Sequence, residues 1–328
     1  MNLPVPVAPA ERASAELVVY SPSFQEALAG AKAFAVSARS ERTAEAYRGA
    51  FTAFRAWCAV NGVSTELPAS VEATVAYLSH MASTGRKPAT IRLHVAAIAA
   101  AHKAKGFEPP TNNEVAKATV KGIRRTLGTK PNRKAPVTAD AMKRMLRKVP
   151  ADLMGRRDRA LLLIGFAAAL RRSELVALQV SDLEWADEGV IVTIPRSKTD
   201  QEGAGHTVAI PSGSKLKPVE ALEAWLKAAG IAEGPVFRSI AKGGRISPHG
   251  LTPQSVAAVV KSRAEAAGLD PAIFSGHSLR AGFVTSALAA GADVLKVMDV
   301  TRHRSVDTLK VYDRRSRAFR DHAGAKFL

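Results

Sequence analysis

The stretch from residue 275 to residue 315 constrains the fold more than any other part of the chain. It holds His277, Arg280, His303 and Tyr312 within one short span. Apolar spacing predicts a helix through SLRAGFVTSALAAG, and that helix would carry His277 and Arg280 on one face, where both could bind one anion. On an unbroken helix, His303 and Tyr312 would point to opposite sides, so a break between them is required.

A second helix, VDTLKVYDRR, is predicted after the break, with Ser305 as its N-cap. It carries Tyr312, the only one of the four tyrosines beyond position 77. A phenol is a poor nucleophile while protonated, and nearby cations and proton acceptors favour the phenolate. The guanidinium and imidazole groups of this stretch supply both.

The motifs H-S-L-R and R-H-R-S-V-D-T-L-K-V-Y resemble the C-terminal signature of the tyrosine recombinase (phage integrase) family. That signature is H-x-x-R, then a histidine or tryptophan, then a tyrosine nine residues later. Thr301 and Arg302 stand where Leu-Gly or Gly-Gly is usual, a departure in the turn that we expect to leave the site intact. A-L-R-R-S-E-L resembles the first box of the family, and R-S-K-T matches a shorter one.

The resemblance assigns the active-site arginine to Arg171, its acidic companion to Glu174 and a catalytic lysine to Lys198. Arg172, the alternative register, is interpreted as solvent-facing or phosphate-binding. Tyr312 would attack a DNA phosphodiester. Arg171, Arg280 and His303 would donate hydrogen bonds to the phosphate oxygens. Lys198 would act as the general acid, and His277 would help to remove the tyrosine proton. Glu174 would orient the site.

The implied activity is site-specific DNA recombination through a covalent 3′-phosphotyrosyl intermediate and a Holliday junction. The phosphotyrosine conserves the energy of the broken bond, so ATP is not needed, and the sequence has no Walker motif. No metal and no other cofactor is expected. A non-catalytic DNA-binding protein on the same fold is the alternative, and a metal-dependent nuclease is a third class.

The charge balance predicts a polyanionic partner. Lys and Arg exceed Asp and Glu by 18, and the pI is about 10.3. Double-stranded DNA is favoured over a membrane surface, because aromatic residues make up only 5% of the chain. With no long apolar run and no signal peptide, a cytoplasmic, nucleoid-associated protein is expected. Cys58, the only cysteine, is predicted to lie in a core.

The predicted fold class is mainly α-helical with a small antiparallel sheet. Residues 1–38 form a tail with a short helix, residues 39–128 a four-helix core-binding domain, residues 129–137 a basic linker and residues 138–328 an α+β catalytic domain. Three strands are predicted in DLEW, GVIVTIPRSK and GHTVAIP. The C-terminal tail is expected to dock on a neighbouring subunit, as in relatives.

Candidate DNA-binding residues lie between the apolar positions of the first domain, in the linker, and near a helix that the family lays into the major groove. They are Arg48, Arg55, Arg86, Lys87, Arg92, Lys103, Arg133, Lys134, Arg245, Thr252, Gln254 and Lys261. The short leader favours a simple Cre-like or Xer-like layout acting on paired inverted half-sites. We expect a homotetramer on DNA and a monomer or weak assembly when free. Prophage integration, replicon resolution and transposition remain open.

Overall fold

The structure is a computed structural model that describes residues 21–37, 40–129, 133–195, 205–307 and 309. The chain divides into two compact units, Met1–Pro131 and Asn132–Leu328. Among the described helices, none is long and apolar enough to cross a membrane. The described part is mostly helical with a small antiparallel sheet, which confirms the predicted fold class.

The first unit consists of helices whose starts are set by capping side chains. After α1 (Pro22–Ser37), the helices are α2 (Glu41–Val60), α3 (Val71–Ser83), α4 (Pro88–Ala104) and α5 (Glu114–Leu127). Ser40, Ser70 and Asn113 cap α2, α3 and α5 by accepting a hydrogen bond from a first-turn N–H. The short leading helix and the four following helices agree with the predicted elements.

Aromatic side chains pack in the core of this unit. Phe54 and Tyr77 are buried with ring centroids 5.1 Å apart, and Cys58 is fully buried beside them. The prediction that Cys58 lies in a core is therefore confirmed. The Tyr77 hydroxyl also lies 2.8 Å from Nδ1 of His94, so its polar end has a partner.

The second unit contains seven described α-helices, which pack around a large apolar core and a smaller cluster of Val284, Leu288, Val297 and Leu309. They are α6 (Ala139–Arg147), α7 (Leu153–Ala167), α8 (Arg172–Ala177), α9 (Pro218–Ala229), α10 (Pro253–Ala266), α11 (Ser278–Ala289) and α12 (Val294–Thr301). The apolar run of α7 is buried. Helix α12 was not predicted. It lies between the two helices expected on either side of His303.

A three-stranded antiparallel sheet covers one part of this core. Its order is β1 (Leu183–Ala186), β2 (Gly189–Ile194) and β3 (His206–Pro211), as the three predicted strands require. In β2, Val190, Val192 and Ile194 are buried, which matches the alternation in the sequence. A hairpin of β4 (Arg238–Ile240) and β5 (Ile246–Gly250) was not predicted as strands. The turn that joins them contains Arg245, one of the candidate DNA-binding residues.

Helix α7 brings together the two segments that carry the arginine motifs. A Cβ atom on Gly165 would lie 2.8 Å from the Leu279 side chain and 2.9 Å from that of Leu175. Leu175 belongs to α8 and Leu279 to α11, so both helices approach α7 closely at this glycine. The chain after Arg171 and the chain around Arg280 are therefore held against the same helix.

The chain enters the second unit along α11. The N–H of Ala135 donates to the carbonyl of Ile273 at 2.8 Å, and that of Val137 donates to the carbonyl of Ser278 at 2.8 Å. A Cβ on Gly282 would lie only 1.8 Å from the Val137 carbonyl oxygen. Residues 133–137, the second half of the predicted linker, thus pack as part of this unit.

Candidate active site

Arg171 lies in the turn that follows α7. Ala169 adopts a left-handed backbone with φ of 47°, which ends α7 sharply and leads into α8. The Arg171 N–H donates to Oε2 of Glu174 at 2.8 Å, and its Nη1 donates to Oε1 at 2.6 Å. The Glu174 side chain is 3% exposed, so this carboxylate is a buried partner that fixes the arginine.

Arg280 lies in the first turn of α11 and is buried. Its Nη1 donates to the carbonyl of Ala169 at 2.9 Å, and its Nη2 donates to the carbonyl of Thr301. Nη2 also lies 3.4 Å from Nε2 of His303. The guanidinium therefore joins the turn before Arg171 to the end of α12, where His303 follows.

His303 is held as a neutral imidazole with a defined tautomer. The Thr301 hydroxyl donates to the carbonyl of Val297 at 2.7 Å and lies 2.7 Å from His303 Nδ1. Because that hydroxyl has one hydrogen, Nδ1 must donate to it, which leaves Nε2 as an acceptor facing Arg280. Burial and the charge of Arg280, followed by that of Arg171, lower the pKa of His303 to about 4.

His277 precedes α11 at the exposed rim of the site. Desolvation by the surrounding chain lowers its pKa, and the positive charges of Arg280, Arg171 and Arg133 lower it further. The ring is therefore neutral near pH 7 and able to accept a proton. Arg133, from the predicted linker, lies close enough to influence this histidine.

The break between His303 and the following helix is present, as predicted. Helix α12 ends at Thr301, and the chain turns through Arg302, which has φ of 56° and ψ of 44°. Residues 306, 307 and 309 are helical again, and the Asp307 N–H donates to Ser305 Oγ at 3.2 Å. Ser305 therefore caps the start of the next helix.

Arg302 belongs to this site, although the sequence analysis left it out. Its Nη2 donates to Oε2 of Glu174 at 2.7 Å, and its side chain is only 6% exposed. Glu174 thus lies between the guanidinium groups of Arg302 and Arg171. The signal in the sequence was an arginine in place of glycine at a helix end, where a left-handed backbone favours glycine.

Tyr312 and Lys198 lie outside the described residues. The structure therefore brings together Arg171, Glu174, His277, Arg280 and His303 of the predicted set, and describes neither the predicted nucleophile nor the predicted general acid. Arg172 is half-buried, and its side chain lies beside Gly276.

The predicted DNA-binding residues are exposed, with Thr252 also serving as the cap of α10. In the first unit the exposed cations are Arg48, Arg55, Arg86, Lys87, Arg92 and Lys103. In the second unit the exposed residues are Arg133, Lys134, Arg245, Thr252, Gln254 and Lys261. Lys134 Nζ donates to the carbonyl of Ala272 at 2.7 Å, and the Thr252 hydroxyl accepts from the Ser255 N–H at 3.3 Å.

Comparison with sequence families gives one match over the second unit. The profile of the phage integrase family matches residues 136–318. An integrase/recombinase XerD homolog of Selenomonas ruminantium is 38% identical over 291 residues, covering 87% of this chain and 85% of the relative. A tyrosine recombinase XerC of Pseudomonas putida is 24% identical over 283 residues, covering 83% of this chain and 85% of the relative.

Solved structures share the fold at low sequence identity. XerH site-specific recombinase bound to a palindromic difH substrate, in a post-cleavage complex, has a TM-score of 0.59 at 18% identity. That alignment covers 79% of this chain and 72% of XerH. A lambda integrase dimer bound to a COC′ core site has a TM-score of 0.59 at 17% identity, covering 86% of this chain and 74% of the integrase.

Proposed function

This chain belongs to the phage integrase family of tyrosine recombinases, and we propose that it cleaves and rejoins DNA through a covalent 3′-phosphotyrosine on Tyr312. The observation that carries the proposal is the assembly of Arg171, Arg280 and two neutral histidines in one site of a chain with net charge +18. A strongly basic chain attracts DNA, and the half-buried Arg171 and the buried Arg280 form one site on it that suits a phosphate.

In this reaction the Tyr312 oxygen attacks phosphorus in line, and the bond to the 5′ oxygen breaks. The tyrosine loses its proton, the 5′ oxygen gains one, and the products are a 3′-phosphotyrosine and a 5′ hydroxyl. Extra negative charge develops on the non-bridging oxygens in between. Arg171 and Arg280 stabilise that charge, because a planar guanidinium can donate to two oxygens at once.

The depressed pKa values of the histidines suit their proposed roles. His277 is neutral at the rim and accepts the proton of Tyr312. His303 is neutral before DNA binds, with Nε2 free of a proton. An arriving phosphate raises the pKa of a nearby imidazole, so His303 takes up a proton and becomes a third donor. Lys198 protonates the leaving 5′ oxygen.

Reversal of the attack by a 5′ hydroxyl from another strand completes the exchange without ATP, metal or another cofactor. Two such rounds, separated by a Holliday junction, exchange both strands of two duplexes. A homotetramer on paired inverted half-sites supplies four tyrosines for the four cleavages. The free protein is monomeric or weakly associated, and its C-terminal tail docks on a neighbouring subunit in the assembly.

Trapping on a suicide substrate tests the proposal. A duplex nicked beside the scissile phosphate loses its short 5′ end after cleavage, so the covalent complex accumulates and is seen by denaturing electrophoresis. Wild type should form it, and Tyr312→Phe should bind the same DNA with equal affinity but form none. An adduct with Tyr312→Phe would overturn the nucleophile, and no adduct with wild type would favour a non-catalytic DNA-binding protein.

A further inference from the structure

Arg302 is held in an arrangement that the fold alone does not explain. Its backbone is left-handed, a conformation disfavoured for any residue with a β-carbon. Its guanidinium is buried, and within the described part of the chain Nε and Nη1 have no hydrogen-bond partner. Burying unpaired donors of a charged group is unfavourable, so both features oppose stability.

A structural salt bridge accounts for only one nitrogen of this side chain. Nη2 donates to Glu174 Oε2, which also accepts from the Arg171 N–H, while Oε1 accepts from Arg171 Nη1. Glu174 therefore already has two bonds from Arg171 without Arg302. The two remaining donors, Nε and Nη1, are buried and lie on different edges of the guanidinium, because Nε–H shares its edge with Nη2.

Arg302 also changes the charge of the site. A buried Arg171–Glu174 pair alone is neutral, whereas Arg302 leaves the group of three with a net positive charge. This charge reaches the reacting region, because Arg302 is among the cations that lower the pKa of His303. The ligand that this excess positive charge favours is an oxyanion.

We propose that Arg302 is a positioning residue, which holds Glu174 against Arg171 and adds a buried positive charge that favours the DNA phosphodiester at this site. This inference rests on the proposed function, since it assumes a phosphodiester at the site. Glu174 then contacts both arginines through its two carboxylate oxygens. Arg302 complements Arg171 and Arg280 in stabilising the charge that develops as Tyr312 attacks.

Comparison of a charged and a neutral scissile linkage tests this role. Arg302→Met keeps the length of the side chain without its donors, and Arg302→Gly suits the left-handed backbone. Single-turnover cleavage is measured at saturating protein on nicked substrates with either an ordinary phosphate or a neutral methylphosphonate at the scissile position. Both variants should cleave the phosphate roughly a hundredfold more slowly than wild type.

On the methylphosphonate the cleavage rates of the same variants should be within about threefold of the wild-type rate, because the charge that Arg302 stabilises is absent. Arg304→Met is the matched control, since it removes an equal charge from an exposed position in the same turn. It should cleave both linkages at about the wild-type rate when protein is saturating. Thermal melting of each variant verifies that it is folded before rates are compared.

The outcomes separate this inference from the proposed function. Equal slowing on both linkages would assign Arg302 a structural role, and an unchanged rate on the phosphate would remove it from the site. In both cases wild type still forms the adduct and Tyr312→Phe does not, so the proposed function stands. If wild type forms no adduct at all, the proposed function fails and the role of Arg302 fails with it.

Discussion

The guanidinium of Arg280 donates through Nη1 to the carbonyl oxygen of Ala169 at 2.9 Å, across 111 positions of sequence. That carbonyl lies in the left-handed turn that ends α7, two residues before Arg171. The bond therefore fixes the distance between the two arginine motifs. Because its acceptor is a backbone carbonyl, a side-chain substitution at position 169 does not remove it. Arg280 acts on the arrangement of the site as well as on its charge.

Replacing Arg280 by alanine should slow cleavage by roughly two to three orders of magnitude, since it removes a preorganised donor to the phosphate. The same change leaves the buried carbonyls of Ala169 and Thr301 without this donor. Single-turnover rates on the nicked substrate measure the loss. Arg280→Lys keeps the charge but not the fork and should recover only part of it. A loss below tenfold would remove Arg280 from the reacting centre.

Replacing Glu174 by glutamine should destabilise the second unit by about 3 kcal/mol, because it leaves the buried guanidinium of Arg302 and the half-buried one of Arg171 without their anion. Cleavage should slow as well, since Arg171 loses the carboxylate that orients it. Chemical denaturation and single-turnover kinetics measure the two effects. Glu188→Gln, at an exposed position after β1, is the matched control and should change neither. Wild-type stability in Glu174→Gln would contradict a buried ionic group.

His303 should make the stability of the free protein depend on pH. Its pKa is about 4 in the folded state and near 6.5 when unfolded. Between these values the unfolded state binds more protons, so stability falls as pH is lowered from about 6.5 to about 4. Urea midpoints at several pH values should decrease less for His303→Gln than for wild type over this range. Parallel curves for the two proteins would show that His303 is not held neutral.

Gly282 should tolerate no side chain, although it lies in the middle of a helix. A Cβ there would meet the Val137 carbonyl at 1.8 Å, so Gly282→Ala must displace the chain that enters the second unit. We expect a loss of about 1–3 kcal/mol. Gly122, in α5, has nothing within 4 Å of its Cβ position, and Gly122→Ala should stabilise by about 0.5–1 kcal/mol. Denaturation midpoints of the two variants should move in opposite directions.

The helices were predictable because their apolar spacing and capping residues agree. Ser40 and Thr138 each cap the first turn of a helix, and serine and threonine are typical residues at that position. Strand β2 was predictable from its alternating valines. The β4–β5 hairpin was not, because β4 has only three residues and β5 contains a proline, so neither shows a readable period of two.

The motifs predicted which residues belong to the site but not how they are connected. His303 could be assigned from its spacing to Tyr312. Its tautomer depends on a hydrogen bond with the Thr301 hydroxyl, which the sequence does not predict. Arg302 was taken for a change in a turn. Its bond to Glu174 spans 128 positions, and no local pattern reveals a pair at that separation.

The hydrogen bonds of Ala135 to Ile273 and of Val137 to Ser278, at the start of α11, have a practical consequence for anyone exchanging DNA-binding modules between recombinases. A chimaera joined within residues 133–137 would disturb the first turn of α11, which carries Arg280. A donor module should therefore end before Arg133, so that the recipient keeps its own entry segment. If that short native peptide is kept, DNA specificity can be exchanged while the catalytic unit retains its own active site.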